Sequence, residues 1–305
     1  MLHEVGAQRG QRELRAGALK CARKLSAPVI YILRYQTLYY NGISVFNRWL
    51  ILAALASGAA WGAAPAYSTD SILNGADFTP GPFAPGSVVT IFGADLSFGT
   101  EGISANSQSH TLPDFLADVR VYVNNLTSPL IYVSPKQINF VVPGNLLAGS
   151  VAVRVVRQGV TGPEAMIALA DAAPRLFATE AHYAIAQHGA DYSLVTSDAP
   201  ARPGEVVVVY ATGLGRTAPD PATFEIPQYP GLLVNSLQLF LDGSQVSPDR
   251  IFYAGLTPGS AGVYQINLTL PDEMGSDPEI RATVAAQTST PGLKLAVQPA
   301  PDGTR

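Results

Sequence analysis

The chain has 305 residues, of which 47% are hydrophobic and only 14% are charged. This composition is sufficient for hydrophobic cores and excludes a chain that is intrinsically disordered throughout. The formal net charge of −4 is unevenly spread, because residues 1–66 carry eight Lys or Arg against two Asp or Glu, whereas the remainder carries 11 against 21. An acidic main part is a poor match for a phosphate backbone, so no nucleic-acid partner is expected.

The N-terminal part has the pattern of a signal peptide. An apolar run, Trp49 to Trp61, follows Arg48 and is shorter than the roughly 20 residues that span a bilayer. Ala64 and Ala66 then form a small-x-small motif, which predicts cleavage after Ala66. We therefore expect a secreted, periplasmic or cell-surface protein with no stable membrane span after cleavage.

Two questions about the leader stay open from the sequence. The basic stretch 1–44 is long for a signal peptide, so either translation begins near Val45 or the leader is kept as an anchor at the inner membrane. The single cysteine, Cys21, lies in this leader, so no disulfide is expected in the rest of the chain.

The chain beyond the leader repeats itself, and the spacing between the matches grows steadily. Four segments recur in one order: 75–79 as 189–193, 84–96 as 202–214, 131–133 as 251–253, and 137–143 as 265–271. Loop insertions into a duplicated domain would give this pattern. The predicted organisation is a leader at 1–66, domains at 67–172 and 173–299, and a disordered tail at 300–305.

Hydrophobic alternation within the repeats predicts strands. Ile138 and Phe140 point to one face and Gln137 and Asn139 to the other, as in an antiparallel sheet with one core side and one solvated side. The uninterrupted apolar run Val206 to Tyr210 predicts a strand covered on both faces.

Residues typical of turns separate these strands. Asn124-Asn125 and Asp242-Gly243 are typical of hairpin turns, and Gly213 and Gly215 permit positive φ at a bend. Residues 163–170 are predicted as the last strand of the first copy. The predicted fold class is all-β, with two tandem β-sandwich domains after an N-terminal signal segment.

The motifs together resemble a paralogous C-terminal domain family abundant in Solibacter and other Acidobacteria, over nearly all of residues 70–298. The resemblance implies immunoglobulin-like halves of the IPT/TIG type and an exported protein. The resemblance implies no catalytic residue for this chain. The segments that carry it are 74–78, 84–93, 132–139, 173–177, 210–215 and 253–256.

No pattern predicts a catalytic centre, a metal site or a cofactor. His182 and His188 are too far apart along a strand to chelate one metal, His110 stands alone, and no Gly-x-Ser-x-Gly elbow is present. Acidic pairs that could serve glycoside hydrolysis are expected to be solvated loop charges: Asp114 with Asp118, Asp272 with Glu273, and Asp277 with Glu279.

The repeated amide pair is the candidate binding feature. Gln137 with Asn139, and Gln265 with Asn267, could form a polar strip for a sugar or a protein partner, or could bond to neighbouring backbone. Four aromatic residues could stack on sugars but are more typical of cross-strand packing: Tyr122, Tyr132, Phe224 and Tyr229.

The function predicted is therefore an exported, non-catalytic module for adhesion, surface structure or carbohydrate/protein recognition, with an unidentified protein or glycan partner. The alternatives are a secreted hydrolase (glycoside hydrolase or esterase) and an accessory module of a separately encoded protein. A polar-lined pocket between the two halves would mark the site.

Overall fold

The structure, a computed structural model, describes residues 63–103 and 109–298. Regular structure in this part of the chain is antiparallel β-sheet apart from two short 3-10 turns, Thr69–Ser71 and Pro248–Arg250. The strands form two sheets in each half, which confirms the predicted all-β sandwich fold. The predicted signal-peptide core and the predicted tail lie outside the described residues.

The first half forms two sheets that share one core, and we call it the first sandwich. One sheet contains β1 (Ile72–Asn74), β2 (Val88–Phe92), β3 (Glu101–Gly102), β6 (Leu130–Val133) and β7 (Gln137–Val141), in the order β1-β2-β7-β6-β3. The other contains β4 (Val119–Val123), β5 (Leu126–Thr127), β8 (Gly149–Arg157), β9 (Val160–Thr161) and β10 (Ala165–Leu169), in the order β10-β8-β4-β5, with β9 paired to β8. Ile91 and Phe140 meet Val121 and Val153 between the sheets.

The second half forms the second sandwich. Its larger sheet contains β11 (Arg175–Leu176), β12 (Ala186–His188), β13 (Val206–Thr212), β14 (Thr217–Ala218), β15 (Leu232–Leu233), β18 (Ile251–Leu256) and β19 (Tyr264–Thr269), in the order β11-β13-β19-β18-β15-β14, with β12 paired to β13. The smaller contains β16 (Leu237–Leu241), β17 (Ser244–Gln245), β20 (Ile280–Val284) and β21 (Gln287–Thr288), in the order β17-β16-β20-β21. Val209 and Leu268 meet Leu239 and Ile280 in its core.

The central strands pair alike in the two sandwiches. β2 lies next to β7 and β7 next to β6, as β13 lies next to β19 and β19 next to β18. Both sheets also have a register shift at the same point, between Leu130 and Tyr132 and between Ile251 and Tyr253. The segments matched in sequence thus take the same places in the two sandwiches, and the domain duplication stays a prediction.

The turns predicted from local chemistry are present. Asn124 and Asn125 have positive φ between β4 and β5, and Asp242 and Gly243 have positive φ between β16 and β17. Such values suit the type I′ hairpins that Asn and Gly favour. The strand expected over residues 163–170 is β10.

The outer faces of the central strands are not solvated, so that part of the sequence prediction is wrong. Val88 and Val141, on the outer face of the first sandwich, are 1% and 4% exposed. A Cβ built on Gly262 of the second sandwich would lie 2.9 Å from Val88 Cγ2 and 3.4 Å from Val141 Cγ2. The two sandwiches bury these faces against each other, and the burial of apolar surface offsets the loss of hydration.

Polar contacts also join the two sandwiches. Val88 N donates to Thr212 Oγ1 at 3.0 Å, and Thr212 Oγ1 donates to a carbonyl in the second sandwich. Asp77 of the first sandwich lies 3.5 Å from Arg175 Nε and accepts a hydrogen bond from Thr290 Oγ1 at 2.5 Å. The Arg175 and Asp77 side chains are only 11% and 9% exposed, so this pair is weakly screened by solvent.

Candidate functional site

The four amide residues of the predicted binding strip are buried. Gln137 and Asn139 are 6% and 4% exposed, and Gln265 and Asn267 are fully buried. In each pair the glutamine Nε2 donates to the asparagine Oδ1 two residues along the strand, at 2.9 and 3.1 Å. The bonds are therefore amide to amide rather than amide to backbone. Because these side chains are buried, a binding role for them stays a prediction.

The two amide pairs differ in what lies beside them. Thr90 is the cross-strand neighbour of Asn139 and donates its hydroxyl to Asn139 Oδ1 at 3.0 Å. Val208 takes that place beside Asn267, where it can donate no hydrogen bond. Among the described residues, Asn267 Nδ2 has no hydrogen-bond partner, although it is buried. The first pair is thus integrated into a polar network that the second lacks.

The titratable side chains considered from the sequence make structural contacts. His188 Nδ1 lies 2.5 Å from Glu205 Oε1, and His188 Nε2 lies 3.2 Å from a backbone carbonyl. Asp277 is half-buried, and its carboxylate accepts hydrogen bonds from Tyr183 Oη at 2.9 Å and Val297 N at 3.2 Å. It is therefore not the solvated loop charge that the sequence predicted. The hydrogen bond to this carboxylate raises the pKa of Tyr183.

No three His, Cys, Asp or Glu side chains within residues 63–103 and 109–298 come together as a possible metal site. The four aromatic residues considered for sugar stacking are half-buried, and the Tyr122 ring has the Arg154 guanidinium 5.4 Å from its centroid. Of the other acidic residues, Glu273 is exposed and four contact neighbouring groups: Asp114 with Arg120, Asp272 with Arg250, Asp118 with Gln158, and Glu279 with Gly292 N.

A cleft of about 290 Å³ lies where the two sandwiches meet, and it is the candidate functional site. The first sandwich contributes the 85–86 turn, the end of β7 and the loop at 144–147. Asp171, in the connection between the sandwiches, also lines the cleft. The second sandwich contributes lining residues from three segments: 215–227, 234–235 and 261–264. Ligand sites commonly form at such domain junctions.

Hydrogen bonds fix the cleft floor. Tyr264 is 4% exposed, and its hydroxyl donates to Gly215 O at 2.6 Å. Burial raises the pKa of Tyr264, so the phenol stays protonated as a donor at neutral pH. Gly215 and Gly213 have φ of +92° and +71°, as the sequence predicted for this bend. The floor is therefore preformed.

One wall of the cleft carries an organised ion pair. Arg216 Nη2 lies 2.8 Å from Asp220 Oδ2, and Asp220 Oδ1 accepts hydrogen bonds from Thr217 N and Oγ1 at 3.1 and 3.2 Å. Glu225 Oε2 accepts a hydrogen bond from Ala222 N at 3.0 Å. These carboxylates are held in place by neighbours, and Arg216 itself is exposed.

Two exposed aliphatic side chains stand at the cleft, one from each sandwich. Leu147 is 78% exposed and Val234 is 63% exposed, the two highest values among the large hydrophobic residues described. Exposed apolar side chains gathered at a concave site are typical of binding surfaces. No sequence pattern marks Leu147, Arg216, Asp220 and Val234 as neighbours, because these residues follow no motif and Leu147 is far from the others in the chain.

The fold and this cleft define a β-protein of two joined sandwiches with a preformed site at their junction. Residues 76–167, which form most of the first sandwich, match the IPT/TIG domain. The finer resemblance to the Acidobacterial family stays a prediction. No curated protein matches the chain.

Several solved structures are similar to this chain at low sequence identity. A surface glycan-binding protein of Bacteroides ovatus, solved with a mixed-linkage heptasaccharide, has 11% identity and a TM-score of 0.32, with 77% of this chain and 45% of that chain covered. A surface glycan-binding protein of Prevotella bryantii has 12% identity and a TM-score of 0.24, covering 78% and 42%. A γ-CGTase of an alkalophilic Bacillus clarkii has 11% identity and a TM-score of 0.25, covering 79% and 26%. The chain thus spans less than half the length of each.

In the part of the chain that the structure describes, no helix has both the length and the apolar character needed to cross a bilayer.

Proposed function

We propose that the protein is an exported, non-catalytic recognition module whose two sandwiches hold a partner in the cleft between them. The observation that carries this proposal is the pair of exposed aliphatic residues, Leu147 and Val234, contributed by different sandwiches to one preformed cleft. A rigid support that presents such residues lowers the ordering cost of binding. Export is supported by the signal-peptide pattern at residues 49–66.

The chemistry of the lining favours an extended segment of a protein partner over a sugar chain. Sugar sites usually offer an open aromatic face, whereas the aromatic residue lining this cleft, Tyr264, is buried with its hydroxyl engaged. Leu147 and Val234 suit aliphatic side chains of a peptide, and Arg216, which lines the same cleft, suits a backbone carbonyl of that peptide.

A photo-crosslinking residue placed at position 147 tests this function. We expect it to capture a discrete protein on the surface of the producing cell, because Leu147 stands at the cleft. The same residue at position 194 is the matched control, since Leu194 is 50% exposed and lies outside the cleft. Equal capture at both positions would contradict the cleft as the site. Glycan-array binding that depends on the cleft would favour a sugar partner instead.

The double variant Leu147→Asp with Val234→Asp is expected to weaken partner binding about tenfold or more, since loss of an interface anchor costs on the order of 2 kcal/mol. Its thermal midpoint should match that of the wild type, because both side chains are exposed. Binding by titration calorimetry against the captured partner measures the loss. Wild-type affinity in this variant would place the interface elsewhere.

The secreted-hydrolase alternative needs a carboxylate free to act as acid, base or nucleophile in the cleft. Asp220 is engaged through both oxygens by Arg216 and Thr217, which leaves it poorly placed for that role. Turnover on a panel of glycosides and esters that disappears in Asp220→Asn would overturn the non-catalytic proposal.

A further inference from the structure

Residues 63–66, which the sequence assigns to the leader, lie against the first sandwich. Ala66 N donates to Ala94 O and Ala94 N donates to Ala66 O, both at 2.9 Å, which is an antiparallel pair just beyond the end of β2. Pro65 is buried, although it lies at the start of the described chain. Tyr67 Oη donates to Pro163 O at 2.5 Å, in the connection between β9 and β10, and accepts a hydrogen bond from Val155 N at 2.8 Å.

A buried arginine also depends on this segment. Arg157 is 1% exposed, and its guanidinium lies 3.9 Å from the centroid of the Phe98 ring. It donates hydrogen bonds to Asp95 O and to Ala63 O. Among the described residues Arg157 Nε has no hydrogen-bond partner, so the two carbonyls and the Phe98 ring face are what compensate this charge, and an uncompensated buried charge is costly. Removing Ala63 would take away the acceptor of Nη2.

Two glycines leave the room that the segment occupies. A Cβ on Gly93 would lie 2.3 Å from Ala66 O, and a Cβ on Gly162 would lie 2.8 Å from Tyr67 Cε1 and 2.9 Å from Pro65 O. Neither glycine has a positive φ, so backbone conformation does not explain them. Close approach of residues 65–67 does explain them.

The second sandwich begins in the same way. Its first strand, β11, pairs with the end of β13 through Arg175 and Thr212, and Ala173 N donates to Gly213 O at 2.8 Å. In both sandwiches a short leading segment therefore pairs at the end of the first long central strand. In the second sandwich this segment belongs to the connection between the two and is always present.

We propose that residues 63–66 belong to the mature protein, and that the leader, where it is removed, is cleaved upstream of Ala63. This inference rests on the export predicted from the sequence and not on the function of the cleft. Small-x-small patterns also lie upstream, in the C-terminal part of the apolar run itself, at Ala56-Ser57-Gly58 and Gly58-Ala59-Ala60. On this proposal the first domain starts at Ala63 rather than at the predicted Tyr67.

The mass and N-terminal sequence of the full-length chain after expression in an exporting bacterium test the position of the cut. We expect the exported protein to retain Ala63 to Ala66, whether it begins at an upstream cut or keeps its whole leader. A protein that begins at Tyr67, or within 64–66, would overturn the proposal.

A second measurement tests whether the segment is docked, and it needs no export. In the full chain, Gly162→Ala should push Pro65 and Tyr67 away, lower the thermal midpoint by about 3 °C or more, and speed amide exchange at Ala66 by about tenfold or more. Gly275→Ala is the matched control, because no atom lies within 4 Å of its built Cβ. Equal midpoints for the two variants, with fast exchange at Ala66 in the wild type, would show that the segment is not part of the fold.

Discussion

Replacing Phe177 by alanine is expected to lower the free energy of unfolding by about 3–5 kcal/mol, the cost typical of deleting a buried phenylalanine ring. Phe177 is fully buried in a cluster at the junction of the sandwiches, with Ala76 from the first and Val208 and Tyr210 from the second. The cavity left behind is lined mainly by the second sandwich, with Ala76 contributed by the first. Equilibrium denaturation in guanidinium chloride measures the loss.

Phe115→Ala is the control for this variant. Phe115 is 41% exposed and has the Arg120 guanidinium 4.6 Å from its ring centroid. Its removal is expected to cost less than about 1 kcal/mol, since exposed side chains contribute little. A Phe177→Ala loss no larger than the control's would show that the junction carries little of the stability.

Gly213→Ala is expected to cost about 2–4 kcal/mol, for two separable reasons. Gly213 has a φ of +71°, which an alanine adopts only with strain. A Cβ there would also lie 2.3 Å from Ala173 O, in the connection between the sandwiches, and backbone cannot give way as a flexible side chain can. The cleft floor next to Gly215 would shift with it, so cleft binding should weaken in the same variant.

Gly243→Ala separates the two contributions. Gly243 has a φ of +75° and nothing within 4 Å of its built Cβ, so only the strain of positive φ applies, about 1–2 kcal/mol. The excess cost of Gly213→Ala over this control, measured by denaturant titration, reports the contact with Ala173. Equal costs for both variants would mean that the close approach is relieved without penalty.

Patterns confined to short segments were sufficient to predict the strands and turns. The alternation through Ile138 and Phe140 placed those side chains in the core, and Asn124-Asn125 and Asp242-Gly243 form hairpin turns where expected. These features depend on pleat geometry and on local φ preferences, which a few neighbouring residues fix on their own.

The same local patterns predicted solvated outer faces of the sheets, and this prediction is wrong. Polar residues such as Gln265 and Asn267 indicated a solvated side, yet both are fully buried. Alternation of apolar and polar residues along a strand indicates that the two faces of the sheet differ. It does not indicate whether the more polar face contacts water or another domain. The packing of one sandwich on the other decides that, and it involves contacts such as Val88 with Thr212 that span more than a hundred residues.

The sequence by itself therefore determined the all-β class and several strand and turn positions, because each of these follows from neighbours along the chain, and it predicts an exported chain. Only the tertiary structure decided that the amide pairs are buried, that Leu147 and Val234 share a cleft, and that Ala63 to Ala66 lie on the first sandwich. These depend on surfaces brought together from distant segments, whose complementarity leaves no periodic trace in the sequence.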